Sequence, residues 1–453
     1  MESQPPKFAD ASQAAKLISQ LGDTFSVVQN PSYVFPPYAI YALASPKTEL
    51  ADGLLAVVMD MDGTTTTTET LCTGALDAMV RRFSGGEDAA ATPALDIERD
   101  YPHIIGNSTT RHVEYLVRTY GDRFVPDALC RHFIAAVAWT LAHSLEPARA
   151  REAANALRSQ GLAELLNDPR FETLCATMKE NSADETIAAR IDQLATSYRA
   201  CLRMDSVTDR VRIGIEVYYQ RYHESLRHIA ARHGNRDRNA PPPIEPMPGI
   251  GVALALLKGW LGEDAASLGD LLAAHLRSMS DEREDAIAAG IKRLPRLGAH
   301  FAAHPVKIGL VTSSIAAEAD IVLREVFAVI RYEIDRWPLP QARRQRLKEQ
   351  FAHPDMVYDA RITASDASEI RLKPHRDLYA IALHDMGITP DQFQRVAGFE
   401  DSESGIIAMR AAGISLCCAL PFAMTRNHQF EAATQLCAGG MPEVILLKNL
   451  FLP

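Results

Sequence analysis

No stretch of this 453-residue chain approaches the roughly 18 consecutive apolar residues of a membrane span. Its start, Met1-Glu2-Ser3-Gln4-Pro5-Pro6, has no basic flank followed by an apolar core. The expectation is a protein without a membrane partner and, by default, a cytoplasmic one. Cysteines are few: Cys72, Cys130, Cys175, Cys201, Cys417, Cys418 and Cys437 are odd in number and show neither CxxC nor zinc-type spacing. That pattern argues against a disulfide framework and fits buried thiols in a reducing compartment. A surplus of positive charge is also missing. With 47 Lys and Arg against 57 Asp and Glu, the net charge of −10 argues against nucleic acid as the main partner, although a local basic pocket for a small phosphate remains open. No internal repeat recurs at a fixed period. His223, His228 and His233 are spaced by five, do not share one helical face, and so predict no metal cluster.

What is present is a globular composition, 47% hydrophobic and 23% charged. At roughly 100–200 residues per domain the chain is long enough for two or more. Its organising stretch is Leu54-Leu55-Ala56-Val57-Val58-Met59-Asp60-Met61-Asp62-Gly63-Thr64, where an apolar run stops in two acids, a glycine and a hydroxyl. The unbroken run fits a fully covered strand of a parallel sheet, although periodicity alone leaves a helix open. Ligands of such sheets sit outside the carboxyl ends of the strands, which puts Asp60 and Asp62 at the mouth of a site.

Asp60-x-Asp62-Gly63-Thr64 resembles the first motif of the haloacid dehalogenase-like (HAD-like) hydrolase superfamily, and three further segments match in that family's order. Val306-Lys307-Ile308-Gly309-Leu310-Val311-Thr312-Ser313-Ser314 resembles the second, a strand ending in a hydroxyl. Leu372-Lys373-Pro374-His375-Arg376-Asp377-Leu378-Tyr379 resembles the third, and Val396-Ala397-Gly398-Phe399-Glu400-Asp401-Ser402 with Gly405 the fourth. The form of the last two is similar to the β-phosphoglucomutase and phosphoglycolate phosphatase branch of capped members.

The resemblance implies an α/β fold: a doubly wound, Rossmann-like parallel-sheet core with a large α-helical cap domain inserted after the first motif. It implies a magnesium-dependent phosphatase that works through an aspartyl-phosphate. Asp60 is then the nucleophile and Asp62 the general acid and base. The metal ligands are Asp60, the backbone carbonyl of Asp62, Asp401, and Glu400 either directly or through water. Lys373 supplies positive charge, and Thr312 a hydroxyl to the phosphoryl group, a task Ser313 can share; the Thr64 backbone N–H faces the phosphate. Two carboxylates alone would repel a phosphate dianion, and magnesium suits an all-oxygen site.

Residues 1–50 form an N-terminal extension with a helix over Ala11–Leu21 and short strands at Phe25-Ser26-Val27-Val28 and Tyr38-Ala39-Ile40-Tyr41-Ala42-Leu43, read as an edge strand or a strap. Residues 51–70 open the core, 71–240 are the cap, and 241–453 complete the core with a helical insertion at about 259–292. Thr66 and Glu69 predict a capping box ahead of a helix through Phe83. Residues 84–100 read as a flexible link, and the chain from Val125 to Gly234 as helices, with Tyr218, Tyr219 and Tyr222 as packing core. Asp281-Glu282-Arg283-Glu284-Asp285 reads as a solvated helix face, residues 337–351 as a surface insertion, and Met356-Val357-Tyr358 with Arg361-Ile362-Thr363 as a strand region. The clearest hinge is Asn235-Arg236-Asp237-Arg238-Asn239-Ala240-Pro241-Pro242-Pro243. Ile104-Ile105-Gly106-Asn107-Ser108-Thr109-Thr110-Arg111-His112 resembles the loop and helix with which capped members reach their substrate, making Arg111 and His112 substrate-contact candidates against a plain solvated helix start.

The expected activity is hydrolysis of a small phosphorylated metabolite by a monomer or homodimer. A sugar phosphomutase is the first alternative. Sugar phosphomutases place a histidine early in the first cap helix, where Cys72 stands here. Phosphonoacetaldehyde hydrolases lack the second aspartate and use a cap lysine where Thr109 stands. A non-catalytic binding protein would be expected to lose Asp60, Asp62, Lys373 or Asp401, and all four are present.

Overall fold

Apolar runs build the strands. In the computed structural model, which describes residues 7–30, 35–50, 53–86, 93–106, 108–144, 146–232, 241–366, 371–448 and 450–451, eight strands form two sheets. The smaller is a hairpin, β1 (Phe25–Gln29) antiparallel to β2 (Tyr38–Ala42), with Val27 opposite Ile40. The larger contains β3 (Ala56–Asp60), β4 (Lys307–Val311), β5 (Ala360–Ile362), β6 (Val396–Glu400), β7 (Leu416–Ala419) and β8 (Gln435–Leu436). All its pairings are parallel, in the order β5-β4-β3-β6-β7-β8.

That order fixes where the chemistry can sit. From β3 the chain winds outward through β4 to β5, then returns to the other side of β3 and winds outward again through β6, β7 and β8. The reversal lies between β3 and β6, and a doubly wound sheet leaves its ligand crevice at the carboxyl ends there. Every residue of β3 and of β6 is buried, as expected of parallel strands covered on both faces. One face of β3, Ala56 and Val58, joins a core with Leu378, Tyr379, Ala382, Ile406 and Met409 from the helices Asp377–Asp385 and Glu403–Ala411. Alternation turns Val57 and Met59 to the opposite face, where both are fully buried.

The described chain divides into two compact units, 1–67 with 242–453, and 68–241. Within the first, the outgoing and returning segments are zipped together: Thr67 N donates to Glu245 O and Met247 N to Thr65 O, both at 2.9 Å. The hairpin and the helix Ala11–Leu21 belong to this unit. The hairpin forms its own sheet and is not an edge of the larger one. The insertion holds the 3-10 helix Gly262–Leu268 and the helix Gly269–Met279, and the helix Glu284–Ala303 that follows runs past residue 292.

The second unit is helical throughout its described residues. Its longest helix, Val207–Arg232, carries Gly214 at a crossing so close that a Cβ would stand 2.6 Å from Val113 and 3.1 Å from Met79. Buried charge in this unit is paired: Arg149 binds Glu216, and its guanidinium lies 4.6 Å from the Tyr219 ring centroid. Tyr218 and Tyr222 are buried, as the packing reading expects.

Several local expectations change. The helix after the first motif is Glu69–Phe83 with Thr68 at its N-cap. Thr66 is no capping box, because its hydroxyl donates to Met61 O at 3.1 Å. The supposed link contains the helix Ile97–Ile104, started by the Asp96 side chain, while residues 87–92 lie outside the described residues. Asp281 to Asp285 are all exposed, as expected, but Asp281 and Glu282 precede the helix, Arg283 is its N-cap and ion-pairs with Asp285, and only Glu284 and Asp285 lie on it. The 337–351 segment is not merely surface, for Trp337, Leu347 and Phe351 are buried around the helix Gln341–Gln350. Pro354–Met356 is a 3-10 turn, so the strand there is only Ala360–Ile362. Of the expected hinge, only residues from 241 onward are described, and Asn107 and His233 also lie outside the described residues. Among the described residues no helix is long and apolar enough to cross a membrane.

Candidate active site

At the end of β3 the chain must turn sharply over its own strand. Gly63 makes this possible with φ +82°, and it also leaves room: a Cβ there would stand 2.6 Å from Oδ2 of Asp401. The three threonines that come next are buried because their hydroxyls bind the turn. Thr64 donates to Asp401 Oδ1 at 3.0 Å, Thr65 to Asp60 O at 2.5 Å, and Thr66 to Met61 O. A row of threonines that reads as a cap is thus the fastening of the strand tip.

Asp60, at the tip of β3, and Glu400, at the tip of β6, share the Lys373 ammonium, which donates to Asp60 Oδ1 and, at 2.8 Å, to Glu400 Oε1. Tyr379 donates to the same Glu400 oxygen at 3.2 Å. Glu400 Oε2 accepts from the backbone N and the hydroxyl of Ser402, at 2.7 and 2.8 Å. Four donors therefore engage the four lone-pair directions of this carboxylate. Gly405 is required beneath it, since a Cβ there would fall 1.6 Å from Glu400 Oε1.

Asp62 is half-buried and accepts a hydrogen bond at 2.8 Å from the Thr312 hydroxyl at the end of β4. That hydroxyl in turn accepts from Ser314 N at 3.0 Å, so Thr312 is oriented from its own loop. Ser313 is exposed.

Burial pushes the Asp60 carboxyl well above the usual carboxylate range; Lys373 opposes this, while Glu400 and Asp62 add to it. Burial alone would lower Lys373, but Asp60 and Glu400 outweigh it and hold the ammonium protonated. Tyr379 is likewise raised by burial and by Glu400, and it stays a donor. Beyond burial, the shifts share a second cause: more negative charge converges here than Lys373 balances. Carboxylate oxygens of Asp60, Glu400 and Asp401 lie within 4.8 Å of one another. This buried all-oxygen set fits a small, hard divalent cation.

Of the residues that the motifs single out, Asp60, Asp62, Thr64, Thr312, Lys373, Glu400 and Asp401 come together at the ends of β3, β4 and β6 and on the adjoining loops. Arg111 and His112 are in the other unit, on the first turn of the helix Thr109–Tyr120, Arg111 exposed and His112 buried. Sequence reasoning gave no role to Tyr379, Ser402 or Gly405, which fix Glu400. The available signal was their place in the motifs themselves, Tyr379 closing the third and Ser402 and Gly405 standing in the fourth.

No family model matches the chain, and no curated protein sequence matches it. Among solved structures it is similar to CbbY from Rhodobacter sphaeroides in complex with phosphate, at 13% identity over 86% of this chain and 96% of that one, with a TM-score of 0.38. It is also similar to β-phosphoglucomutase from Clostridium difficile, at 11% identity over 85% and 90% with a TM-score of 0.33. A hydrolase from Pseudomonas syringae matches at 12% identity over 84% and 92% with a TM-score of 0.34. Likenesses of that level carry no functional weight, and the case for a function rests on the residues of the strand tips.

Proposed function

We propose that the protein is a magnesium-dependent phosphohydrolase of the HAD-like kind, cleaving a small phosphorylated metabolite through an aspartyl-phosphate on Asp60. The observation that carries this reading is the meeting of Asp60, Glu400, Asp401 and Lys373 at the crevice between β3 and β6. Phosphate monoesters are among the slowest substrates to hydrolyse unaided, with enhancements up to about 10²¹, so nucleophile, acid, base and charge stabilisation must act together.

In the first step an Asp60 oxygen bonds to phosphorus, the ester P–O bond breaks, and Asp62 gives its proton to the departing oxygen. In the second, water attacks phosphorus, Asp62 takes the water's proton, and the Asp60 acyl-phosphate bond breaks. Thr312 holds Asp62 in place for both transfers. Lys373 stabilises charge on the phosphoryl oxygens, with Ser313 and the Thr64 N–H as further donors. Magnesium, held by Asp60, the Asp62 carbonyl and Asp401, would screen the dianion from these carboxylates. Glu400, whose lone pairs are taken by Lys373, Tyr379 and Ser402, serves to hold Lys373 and leaves the metal to the other ligands.

Purified protein with magnesium should release phosphate from an aryl phosphate and, faster, from members of a panel of phosphorylated metabolites. Silence across the panel would sink the proposal. We assign the helical unit, 68–241, the part of a lid bearing specificity, with Arg111 holding the non-reacting part of the substrate. Arg111→Ala should lower kcat/KM for the best metabolite about 10-fold and leave the aryl phosphate unaffected. Equal losses on both substrates would place it elsewhere. His112, the other candidate, is buried within the helical unit and is given no contact with the substrate.

A further inference from the structure

The N-terminal segment is poorly explained by burial. The helix Ala11–Leu21 buries none of its residues, and the apolar cross-strand pair Val27 and Ile40 is 62% and 49% exposed. Its well-fixed contacts lie elsewhere. The Tyr41 hydroxyl stands 2.5 Å from Nδ1 of His375, with the two rings edge to face and their centroids 5.3 Å apart. His375 comes two residues after Lys373. Arg371, two residues before Lys373, places Nη1 3.4 Å from the same hydroxyl and is itself held by Nε and Nη2 bonds to Asp377. One tyrosine of β2 therefore reaches both flanks of the lysine.

Just past β2, at the same end as Tyr41, the chain is anchored to the helix that follows the acidic pair. Arg410, buried on Glu403–Ala411, donates from Nε at 2.8 Å and also from Nη2 to Ala44 O, while Ala44 N returns a bond at 2.9 Å to Arg410 O. Lys47 N adds a bond to Ser415 O at 3.0 Å. Burial and Arg371 hold the His375 imidazole below its usual pKa despite Asp377, so the ring is neutral at pH 7 and its tautomer decides which of Nδ1 and the Tyr41 hydroxyl donates. Lysine has a flexible four-carbon stem carrying about 2 kcal/mol of rotamer entropy. Where its ammonium stands between Asp60 and Glu400 thus depends on how firmly its loop is held.

We propose that the N-terminal hairpin is a brace for the Lys373 loop, in which Tyr41 is a positioning residue acting through His375. Only the purpose of the positioning, charge stabilisation of a phosphoryl group, rests on the phosphohydrolase reading.

The test uses the full chain and the variants Tyr41→Phe, His375→Ala and both together. Hydrogen exchange of the amides in 371–378, aryl phosphate kinetics with magnesium, and thermal unfolding are read on each. Tyr41→Phe should speed exchange in that loop and lower kcat/KM about 10-fold, with the melting temperature within about 2 °C of wild type. His375→Ala should do the same, and the double variant should be no worse than either, because the two act as one contact. Unchanged exchange at 371–378 in Tyr41→Phe overturns the brace whether or not the wild type turns over phosphate. Faster exchange in a protein that hydrolyses no phosphate ester leaves the brace standing and removes the phosphohydrolase reading. A fall in melting temperature with unaltered kinetics makes Tyr41 a structural residue only.

Discussion

In the helical unit each buried charge among the described residues has a partner of opposite sign: Arg149 meets Glu216, and Asp100 meets Arg99. At the tips of β3 and β6 the arrangement is different, with Lys373 set among Asp60, Asp62, Glu400 and Asp401. Paired charge inside a fold needs nothing further, and its removal is felt as stability. Converging like charge is costly to assemble, about 4 kcal/mol for two charges 4 Å apart at an effective dielectric of 20, and it persists where a ligand or a reaction uses it. Substitutions of similar chemistry should therefore have opposite consequences in the two regions.

The largest expected effect is at Asp60. Asp60→Asn keeps the shape of the strand tip and removes the nucleophile, so turnover should fall more than about 1,000-fold. The fold should persist, because a neutral side chain relieves the like charge of Glu400 and Asp62 around it. Circular dichroism with a phosphate-release assay checks both. Full activity in a folded variant would end the nucleophile assignment.

Glu216 should behave in the reverse sense. Glu216→Ala leaves Arg149 buried without its main partner and should cost about 3–5 kcal/mol of stability, while Arg149→Met with Glu216→Leu should be near neutral. Neither change should alter magnesium dependence. Urea unfolding and a magnesium titration read the two properties separately, and a shifted magnesium midpoint in the double variant would break the comparison.

At Asp401 the expected change is in the metal requirement. Asp401→Ala should move the magnesium midpoint upward about 10-fold or more with a smaller effect on KM at saturating metal, since few protein oxygens hold the ion. If only KM moves, the fourth motif has been given the wrong task.

The strand tips were legible because acids there end apolar runs in the order of four motifs; the run 54–59 by itself fits a buried strand or a helix. Asp60, Lys373 and Asp401 are 341 residues apart at the extremes, yet a strand order written in four motifs brings them together. Side-chain fastening was less legible. Nothing in Thr64-Thr65-Thr66 distinguishes a helix cap from hydroxyls turned back onto a strand, because the same residue type satisfies either backbone. The brace was invisible for a related reason: Tyr41 and His375 lie 334 positions apart, and no local pattern marks an aromatic that serves another loop. Trp337 and Phe351 were misplaced on the surface because the basic, polar residues between them outweigh two apolar ends.

The smallest effect expected is at Asp100, and its pH dependence sharpens the contrast with Asp60. Burial by itself would raise this carboxyl. The hydrogen bonds from Arg99, Tyr120, the Asp96 backbone and Tyr115 overcome burial and bring the pKa to about 2, from an ordinary 3.8. A carboxyl depressed on folding lends stability that is whole above its unfolded pKa and is lost as pH falls through its folded one. The window is therefore between about pH 4 and pH 2. The shift corresponds to roughly 2 kcal/mol at one pKa unit per 1.36 kcal/mol, and because the Arg99 side chain is 52% exposed, solvent screening reduces the expected contribution to about 1–2 kcal/mol. Asp100→Asn should be less stable than wild type by that amount at pH 7, with the gap closing as the pH falls below 4. Urea unfolding of both proteins at pH 7, 4 and 3 measures it. A gap that stays constant with pH would mean that the carboxylate charge contributes nothing and that shape alone holds this corner of the helical unit. A gap that widens on acidification would mean that Asp100, like Asp60, is held above its ordinary pKa, and the distinction between paired and converging charge would fail in this protein.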